Sequence, residues 1–570
     1  MSNLKVFFLV HFLCFISFSS DASKAPNIVF ILTDDQDVFL GGLTPMKKTK
    51  ELIGQHGITF DNMFVSSPLC CPSRSSIMTG QYVHNHHARN NSLSGGCSSS
   101  GWQKGPEKHS VSTYVKSLGF KTFFAGKYLN QYGRKEVGGP QHVPPGWDEW
   151  YGLVGNSRYY NYTQSVNGKP VEHGHNYGSD YFTDILKKQA VTFLKEQTAE
   201  SPPFFLMVAT PACHSPFTPA PQYKNNFNGS KAPRTPAFNI AGGSTKHWLI
   251  RSTQHPMEHS SINDLDGYFR DRWRTLLSVD DLVEDVVSTL DAQKLLEDTY
   301  IIFSSDNGFH LGQFSLPQDK RQLYEFDVRV PFMIRGPGIM GNKTLQNPIL
   351  NIDIAPTVVE LAGGKAPQTM DGQSILPLLK SDSKSDLEED KANWRTDFLI
   401  QHYGEGALKI QGCPHLSAGV YVKLDFVTFI KIEYSANWVI APLPNLLTSP
   451  DSKRQRWFEQ LEPSEKLNCW PNCVCEDAWN NTYSCVRSLS SSENMMYCEF
   501  NDHEAFVEVY DVKSDPHQLK NVFKEQSPKF LAAKHRRLVD LATCSGASCR
   551  APAVDHVTRE ATQAIEILAN

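Results

Sequence analysis

The chain has 570 residues, with 55 Lys and Arg against 60 Asp and Glu and a formal net charge of −5. That length exceeds what one hydrophobic core usually serves, about 250–300 residues, so a large domain with a smaller companion is expected. No basic tract or long single-sign run is present, which argues against nucleic-acid binding by bulk charge and against a charged disordered tail. An anionic ligand would have to be held by local cations.

Lys5 precedes an apolar run from Val6 to Phe18, and small residues follow at Ser19, Ser20, Ala22 and Ser23. The run is shorter than the ~20 residues that span a bilayer, so residues 1–22 read as a secretory signal cut near Ala22. Sequons at Asn90, Asn161, Asn228, Asn342 and Asn480 agree with an exported glycoprotein without a membrane anchor. Eight cysteines fall in the last third, from Cys413 to Cys549. They lack paired Cys-x-x-Cys knuckles, so in an oxidising compartment disulfides are expected over zinc, with connectivity left open.

The segment Asn27-Ile-Val-Phe-Ile-Leu-Thr33 followed by Asp34-Asp35 is an apolar run ending in two carboxylates, the pattern of a buried parallel strand. Thr299 to Ser305 followed by Asp306-Asn307 repeats it, and residues 203–209 run into Thr210-Pro-Ala-Cys-His214-Ser-Pro216. Acids at the carboxyl ends of such strands lie where open α/β sheets place their ligands. Helical patterns cover 44–56, 110–118 (leading into a strand at 121–125), 180–196 and 278–296, the last opening on a Ser-x-x-Asp cap. This alternation predicts a doubly wound α/β domain. A Ser, Asp, Glu and Lys stretch near 380–391 reads as a linker or surface loop. Domains are placed at 23–385 and at 386–570, the second cysteine-rich and closing on a strand at 507–511 and a helix at 527–541. Residues 420–467 interrupt it with apolar and β-branched residues. They read as an added hairpin or as translated intron sequence.

Asp34, Asp35, Asp306 and Asn307 form an all-oxygen set, which favours calcium or magnesium over zinc. Singly, such motifs are as often turns or helix caps. His84, His86 and His87 do not share one helical face, and they are read as solvent-facing or pocket-rim residues, not a zinc site.

Leu69-Cys70-Cys-Pro-Ser-Arg74 through Thr79-Gly80 contains Cys-x-Pro-Ser-Arg followed by Thr-Gly, and this stretch resembles the signature of the sulfatase family. The resemblance implies an alkaline-phosphatase-like fold, a doubly wound mixed sheet flanked by helices, with a smaller C-terminal α+β domain. It implies that Cys70 is oxidised to formylglycine by a formylglycine-generating enzyme during secretion, with Cys71 as the unconstrained x position. One Ca2+ ion is implied at Asp34, Asp35, Asp306 and Asn307, with an oxygen of modified Cys70 as a further ligand. A hydrated aldehyde offers two hydroxyls on one carbon, one to attack sulfur and one to expel sulfate, an exit a thiol lacks. Arg74 braces that residue. Lys127, in Gly126-Lys-Tyr128, and Lys320 match the family's sulfate-binding lysines, and His214 matches the histidine that protonates the leaving oxygen. Leu129 stands where many members carry a histidine. His310 is divided between a site role and a scaffold role.

Longer segments, including Phe123-Phe-Ala-Gly-Lys-Tyr-Leu-Asn130, Lys246 to Arg251 and Cys473-Val-Cys-Glu-Asp477, resemble the branch of the family acting on 6-sulfated N-acetylglucosamine. That branch implies removal of 6-sulfate from the non-reducing end of heparan or keratan sulfate, in the lysosome. The alternatives are an extracellular heparan endosulfatase, an arylsulfatase, or a non-catalytic protein that binds sulfated glycans. Oligomeric state stays open, with a homodimer among the alternatives.

Overall fold

The computed structural model describes residues 24–379, 394–405, 476–502 and 504–551. The signal segment, the 420–467 insertion, Cys413, Cys469, Cys473 and Cys475 lie outside the described residues.

The strands in chain order are β1 (Asn27–Thr33), β2 (Ile58–Phe60), β3 (Met63–Phe64), β4 (Lys121–Lys127), β5 (Glu149–Leu153), β6 (Tyr162–Val166), β7 (Lys169–His173), β8 (Phe204–Ala209), β9 (Thr299–Ser305), β10 (Phe332–Arg335), β11 (Lys343–Leu345), β12 (Ile349–Leu350), β13 (Asp397–His402), β14 (Tyr483–Leu489), β15 (Asn494–Phe500) and β16 (Val507–Asp511). Ten of them form one sheet in the order β11-β2-β10-β9-β1-β8-β4-β5-β6-β7. Its middle, β9-β1-β8-β4-β5, is wholly parallel, and antiparallel strands extend it on both sides. The outcome is the expected mixed, doubly wound sheet.

Both faces of the parallel middle are covered, which explains why its strands read as unbroken apolar runs. Along β1, Ile28, Phe30 and Leu32 enter one apolar cluster while Val29 and Ile31 enter another. The first cluster takes in helices α1 (Cys70–Thr79), α2 (Val111–Ser117) and α5 (Ile354–Leu361), through Ile77, Val115 and Val358 among others. The second takes in α3 (Phe182–Lys195) and α4 (His259–Ala292), through Leu186, Val279 and Val283.

The strands β13-β14-β15-β16 make a second, antiparallel sheet, joined by helix α6 (Pro528–Ala542). Its Val486, Val509 and Leu538 extend the first cluster, so the smaller domain packs on the larger one's core.

Two local readings are corrected, and two further details are added. Helix α4 begins at His259, not near 278, and Ser278 lies inside it, buried. Its first half carries Asp264, Asp266, Arg270, Asp271, Arg272 and Arg274, and this charge masks the spacing of Leu265, Phe269 and Leu276. Cys71, at the x position of the motif, forms a disulfide with Cys97. His84 and His86 are not solvent-facing. The His84 ring hydrogen-bonds the Gln401 side chain (2.8 Å) and the Cys544 carbonyl (2.9 Å), and buried His86 meets Ser76 Oγ (3.0 Å). They fasten the α1 region to the rest of the molecule, while His87 is exposed. Among the sequons, Asn161, Asn228 and Asn342 are exposed but Asn90 is buried, with its Oδ1 accepting from Ser92. The remaining described disulfides are Cys485–Cys498 and Cys544–Cys549, and Cys70 and Cys213 are free thiols.

Candidate active site

Four neighbouring parallel strands end at one place. The register pairs Thr33 with Ser305 across β1 and β9, so Asp34-Asp35 and Asp306-Asn307 leave the sheet side by side. Leu32 pairs with Ala209 of β8, and Ala209 with Gly126 of β4, so Lys127 and the His214 loop emerge on the other flank. Asp34 is locked into that loop by Asp34 N–H to Ala212 O (2.8 Å) and Cys213 N–H to Asp34 O (2.6 Å). A side chain at Gly126 would meet the Ala209 carbonyl at 1.9 Å, so only glycine lets β4 lie this close ahead of Lys127.

Cys70 is the first residue of α1, wholly buried, with Sγ 3.8 Å from Asp34 Oδ1 and 4.0 Å from Asp35 Oδ1. Burial pushes its thiol up to about 12, although Lys127 and Lys320 pull the other way. As a thiol the residue therefore stays neutral and is a poor nucleophile.

Cations surround the carboxylates. Lys127 Nζ donates to Asp34 Oδ2 (2.7 Å), Lys320 Nζ to Asp35 Oδ2 (2.9 Å), and Arg74 Nε to Asp306 Oδ2 (2.7 Å). Arg74 Nη1 also donates to the Lys127 carbonyl (2.7 Å). Burial acts to raise Asp34, and the charges of Lys127, Arg74 and Lys320 outweigh it and hold the carboxyl well below its ordinary value. Burial pushes Asp306 up to about 7 against the pull of Arg74. His214 lies with Nε2 3.9 Å from Asp35 Oδ2, while Nδ1 donates to Ser215 O (2.7 Å). Burial and then Lys320 push it down to about 4.

The expected residues thus converge, with differences in detail. Ligand atoms of Asp34, Asp35, Cys70 and His214 lie within 4.8 Å of one another. Asp306 stands beside them with Oδ1 accepting from Asp35 N–H (3.0 Å). Asn307 Nδ2 donates to Asp35 Oδ1 (2.7 Å), which leaves the buried Asn307 Oδ1 without a partner. Three buried carboxylates and an orphaned amide oxygen fit a hard cation. Leu129 is buried in the apolar core. His310 is buried as well, with Nδ1 facing Asp327 (3.0 Å) and Nε2 facing Glu476 (3.1 Å), so neither nitrogen is left for a substrate.

Sequence reasoning missed two contributors. Ser157 Oγ donates a short hydrogen bond to Asp34 Oδ2. Arg272 donates to the Asp35 carbonyl (2.7 Å) and to Asp37 Oδ1 (2.8 Å), which fixes the left-handed turn at Asp35 (φ 62°). A lone serine in a loop carries no motif. Arg272 is hidden among the charges of α4. A cavity of about 800 Å³ opens beside the site, lined by Ser157 and His214 among others.

The sulfatase family model matches residues 26–364, and one described as N-sulphoglucosamine sulphohydrolase, C-terminal, matches 312–427. The chain belongs to the sulfatase family and is a sulfuric ester hydrolase. It is 48% identical to an N-acetylglucosamine-6-sulfatase of Capra hircus over 95% of this chain and 87% of that one. The Homo sapiens N-acetylglucosamine-6-sulfatase is 48% identical over 93% of this chain and 87% of its own. The solved structure of BT4656 in complex with its substrate D-glucosamine-2-N,6-O-disulfate shares the fold, with a TM-score of 0.64 and 21% identity over 91% of this chain and 97% of that one.

Proposed function

We propose that the protein removes the 6-sulfate from non-reducing-end N-acetylglucosamine 6-sulfate of heparan and keratan sulfate. The observation that carries the chemistry is the convergence of Lys127, Lys320 and His214 on the carboxylates that flank Cys70. Near full-length identity to N-acetylglucosamine-6-sulfatases supports the choice of sugar.

The metal site would be Asp34, Asp35, Asp306 and Asn307, joined by residue 70, and a calcium ion there supplies Lewis-acid compensation of charge at the sulfuryl oxygens. With Cys70 oxidised to formylglycine and its aldehyde hydrated by a water molecule, residue 70 would offer the hydroxyl pair through which sulfate is taken up and expelled. The remaining tasks fall to unmodified side chains. Lys127 and Lys320 reach the sulfuryl oxygens from two sides in a water-poor site, where fixed cations act strongly on developing charge. Arg74 holds Asp306 and the Lys127 backbone in register. In the substrate-free site His214 is neutral, and its Nε2 is free to accept a proton. An incoming sulfate raises the proton affinity of that nitrogen, so the charged ring hands its Nε2 proton to the departing sugar oxygen.

We also infer that residues 1–22 direct the chain into the secretory route, where the converting enzyme meets Cys70, and that the lysosome is its destination. Among the described residues, no helix is long and apolar enough to cross a membrane. The domain limits proposed are 23–385 and 386–570. Sulfate release from terminal 6-sulfated N-acetylglucosamine, an internally 6-sulfated heparin oligosaccharide and an aryl sulfate tests the reading. Release chiefly from the internal or the aryl substrate would overturn it.

A further inference from the structure

The cavity beside the catalytic centre carries charge that the chemistry above does not use. Arg134 and Arg158 both line it, both are exposed, and neither makes an ion pair or side-chain hydrogen bond among the described residues. No aspartate or glutamate lines the cavity. In a chain whose overall charge is negative, two unpaired arginines lining one cavity form a local anion-attracting field.

Both arginines stand on backbone that is fixed relative to the reacting centre. Arg158 lies between two anchors, since Ser157 Oγ donates to Asp34 and Tyr159 OH donates to the His214 carbonyl (3.0 Å). The burial pattern across these three residues is buried, exposed, buried, so residue 158 alone turns outward. Arg134 follows Gly133, whose left-handed φ of 77° turns the chain. Gly155 N–H donates to Tyr132 O (2.8 Å) and joins its loop to the loop of Arg158. Ordinary surface arginines lack this coupling to a catalytic carboxylate. Guanidinium forks suit sulfate and carboxylate groups, which they bind through paired N–H donors.

We propose that Arg134 and Arg158 form a second anion subsite, which holds another sulfate or carboxylate of the glycan while its 6-sulfate sits at the catalytic centre. The subsite deepens the reading above and rests on it for the position of the sugar. The anion has two sources, an N-sulfate on the same glucosamine or the carboxylate of a uronic acid linked to it.

The experiment is titration calorimetry on full-length Cys70→Ala protein with calcium present, so that binding is read without turnover. Four ligands share a terminal 6-sulfated glucosamine: the N-acetyl monosaccharide, the N-sulfo monosaccharide, and N-acetyl disaccharides ending in a uronic acid or in galactose. The subsite predicts that the N-sulfo sugar or the uronic acid disaccharide binds about tenfold tighter than its single-anion counterpart. In Arg134→Gln/Arg158→Gln protein that ratio falls to about two, and whichever arm shows the gain identifies the source. No gain in either arm, or a gain that survives the double substitution, overturns the subsite. The ratios are internal to each protein, so a general loss of affinity does not mimic the result. A protein that shows the gain but, with Cys70 converted, releases no sulfate would sink the hydrolase reading and leave the subsite standing. A protein that hydrolyses the single-anion sugar and shows no gain would sink the subsite alone.

Discussion

Two buried clusters of charge sit a few residues apart along the segment after β9, and they are built to opposite ends. Around Asp34, Asp35 and Asp306 the network is open: Asn307 Oδ1 is buried without a hydrogen-bond partner, and a cavity is lined by Ser157, which bonds Asp34, and by His214, which faces Asp35. Around His310 it is closed. The ring is held between Asp327 and Glu476, Gln322 N–H donates to Asp327 Oδ2 (2.8 Å), and Gln322 Nε2 donates to Glu476 Oε2 (2.7 Å). The closed cluster also ties the segment after β9 to Glu476, in the chain that leads into β14. Buried polar groups normally find partners, so orphaned ones mark where something else is to bind, and closed ones mark scaffold.

The largest separation between the clusters should appear in catalysis. Lys127→Ala and Lys320→Ala each remove one cation from the transferring sulfate, and kcat should fall by about 10²–10³-fold. A fall in KM-linked binding alone, with kcat kept, would move these lysines out of the transition state. His310→Gln should do the reverse. It leaves two buried carboxylates without their cation, at a cost of about 3–5 kcal/mol in stability, while the folded fraction keeps its turnover. Thermal unfolding and turnover at a permissive temperature measure the two effects separately.

Next in size is the covalent brace under the open cluster. The Cys71–Cys97 disulfide closes a sequence separation of 26 residues beside the nucleophile. Cys97→Ser should cost about 3 kcal/mol of stability through the loosened unfolded chain, read as a lower unfolding midpoint. An unchanged midpoint would show that the reduced loop is held by packing alone.

The smallest effect is a slope with pH. Burial works against the charge of His310, but Asp327 and Glu476 outweigh it and raise the ring to about 10. Burial raises Asp327 to about 7. Each group holds its proton more tightly in the folded chain than in the unfolded one. The share from Asp327 is full below its ordinary value of 3.8 and is lost as pH rises through about 7, and the share from His310 is full below 6.5 and is lost as pH rises through about 10. The gap in unfolding midpoint between the wild-type chain and His310→Gln should therefore narrow from pH 7 to pH 9.

Much of the open cluster was legible because strand and chemistry coincide in sequence. The runs 27–33 and 299–305 are apolar on both faces and end abruptly in Asp-Asp and Asp-Asn, so the place of the acids in the fold follows from the strands alone. Cys70, Lys127, His214 and Lys320 came from motif resemblance, and the register explains why Lys127 and the His214 loop meet the acids. What could not be read depends on distance in sequence. Ser157 reaches Asp34 across 123 residues, and nothing around it differs from an ordinary loop serine. The Cys71–Cys97 disulfide was not foreseen because Cys97 has no local signature. The histidines 84 and 86 read as solvent-facing or pocket-rim because their partners, Gln401, Cys544 and Ser76, come from other turns of the fold. The start of α4 was hidden because buried charges, Asp266 and Arg272 among them, sit on the face that periodicity reads as solvent.

The most direct test is sulfate release from terminal 6-sulfated N-acetylglucosamine by the full chain, co-expressed with the converting enzyme, beside its Cys70→Ala variant. The account predicts release by the first, an aldehyde in place of the thiol at residue 70 by peptide mass, and a loss of about four orders of magnitude or more in the variant. Equal release by both proteins, or none from a chain whose Cys70 is fully converted, would contradict it.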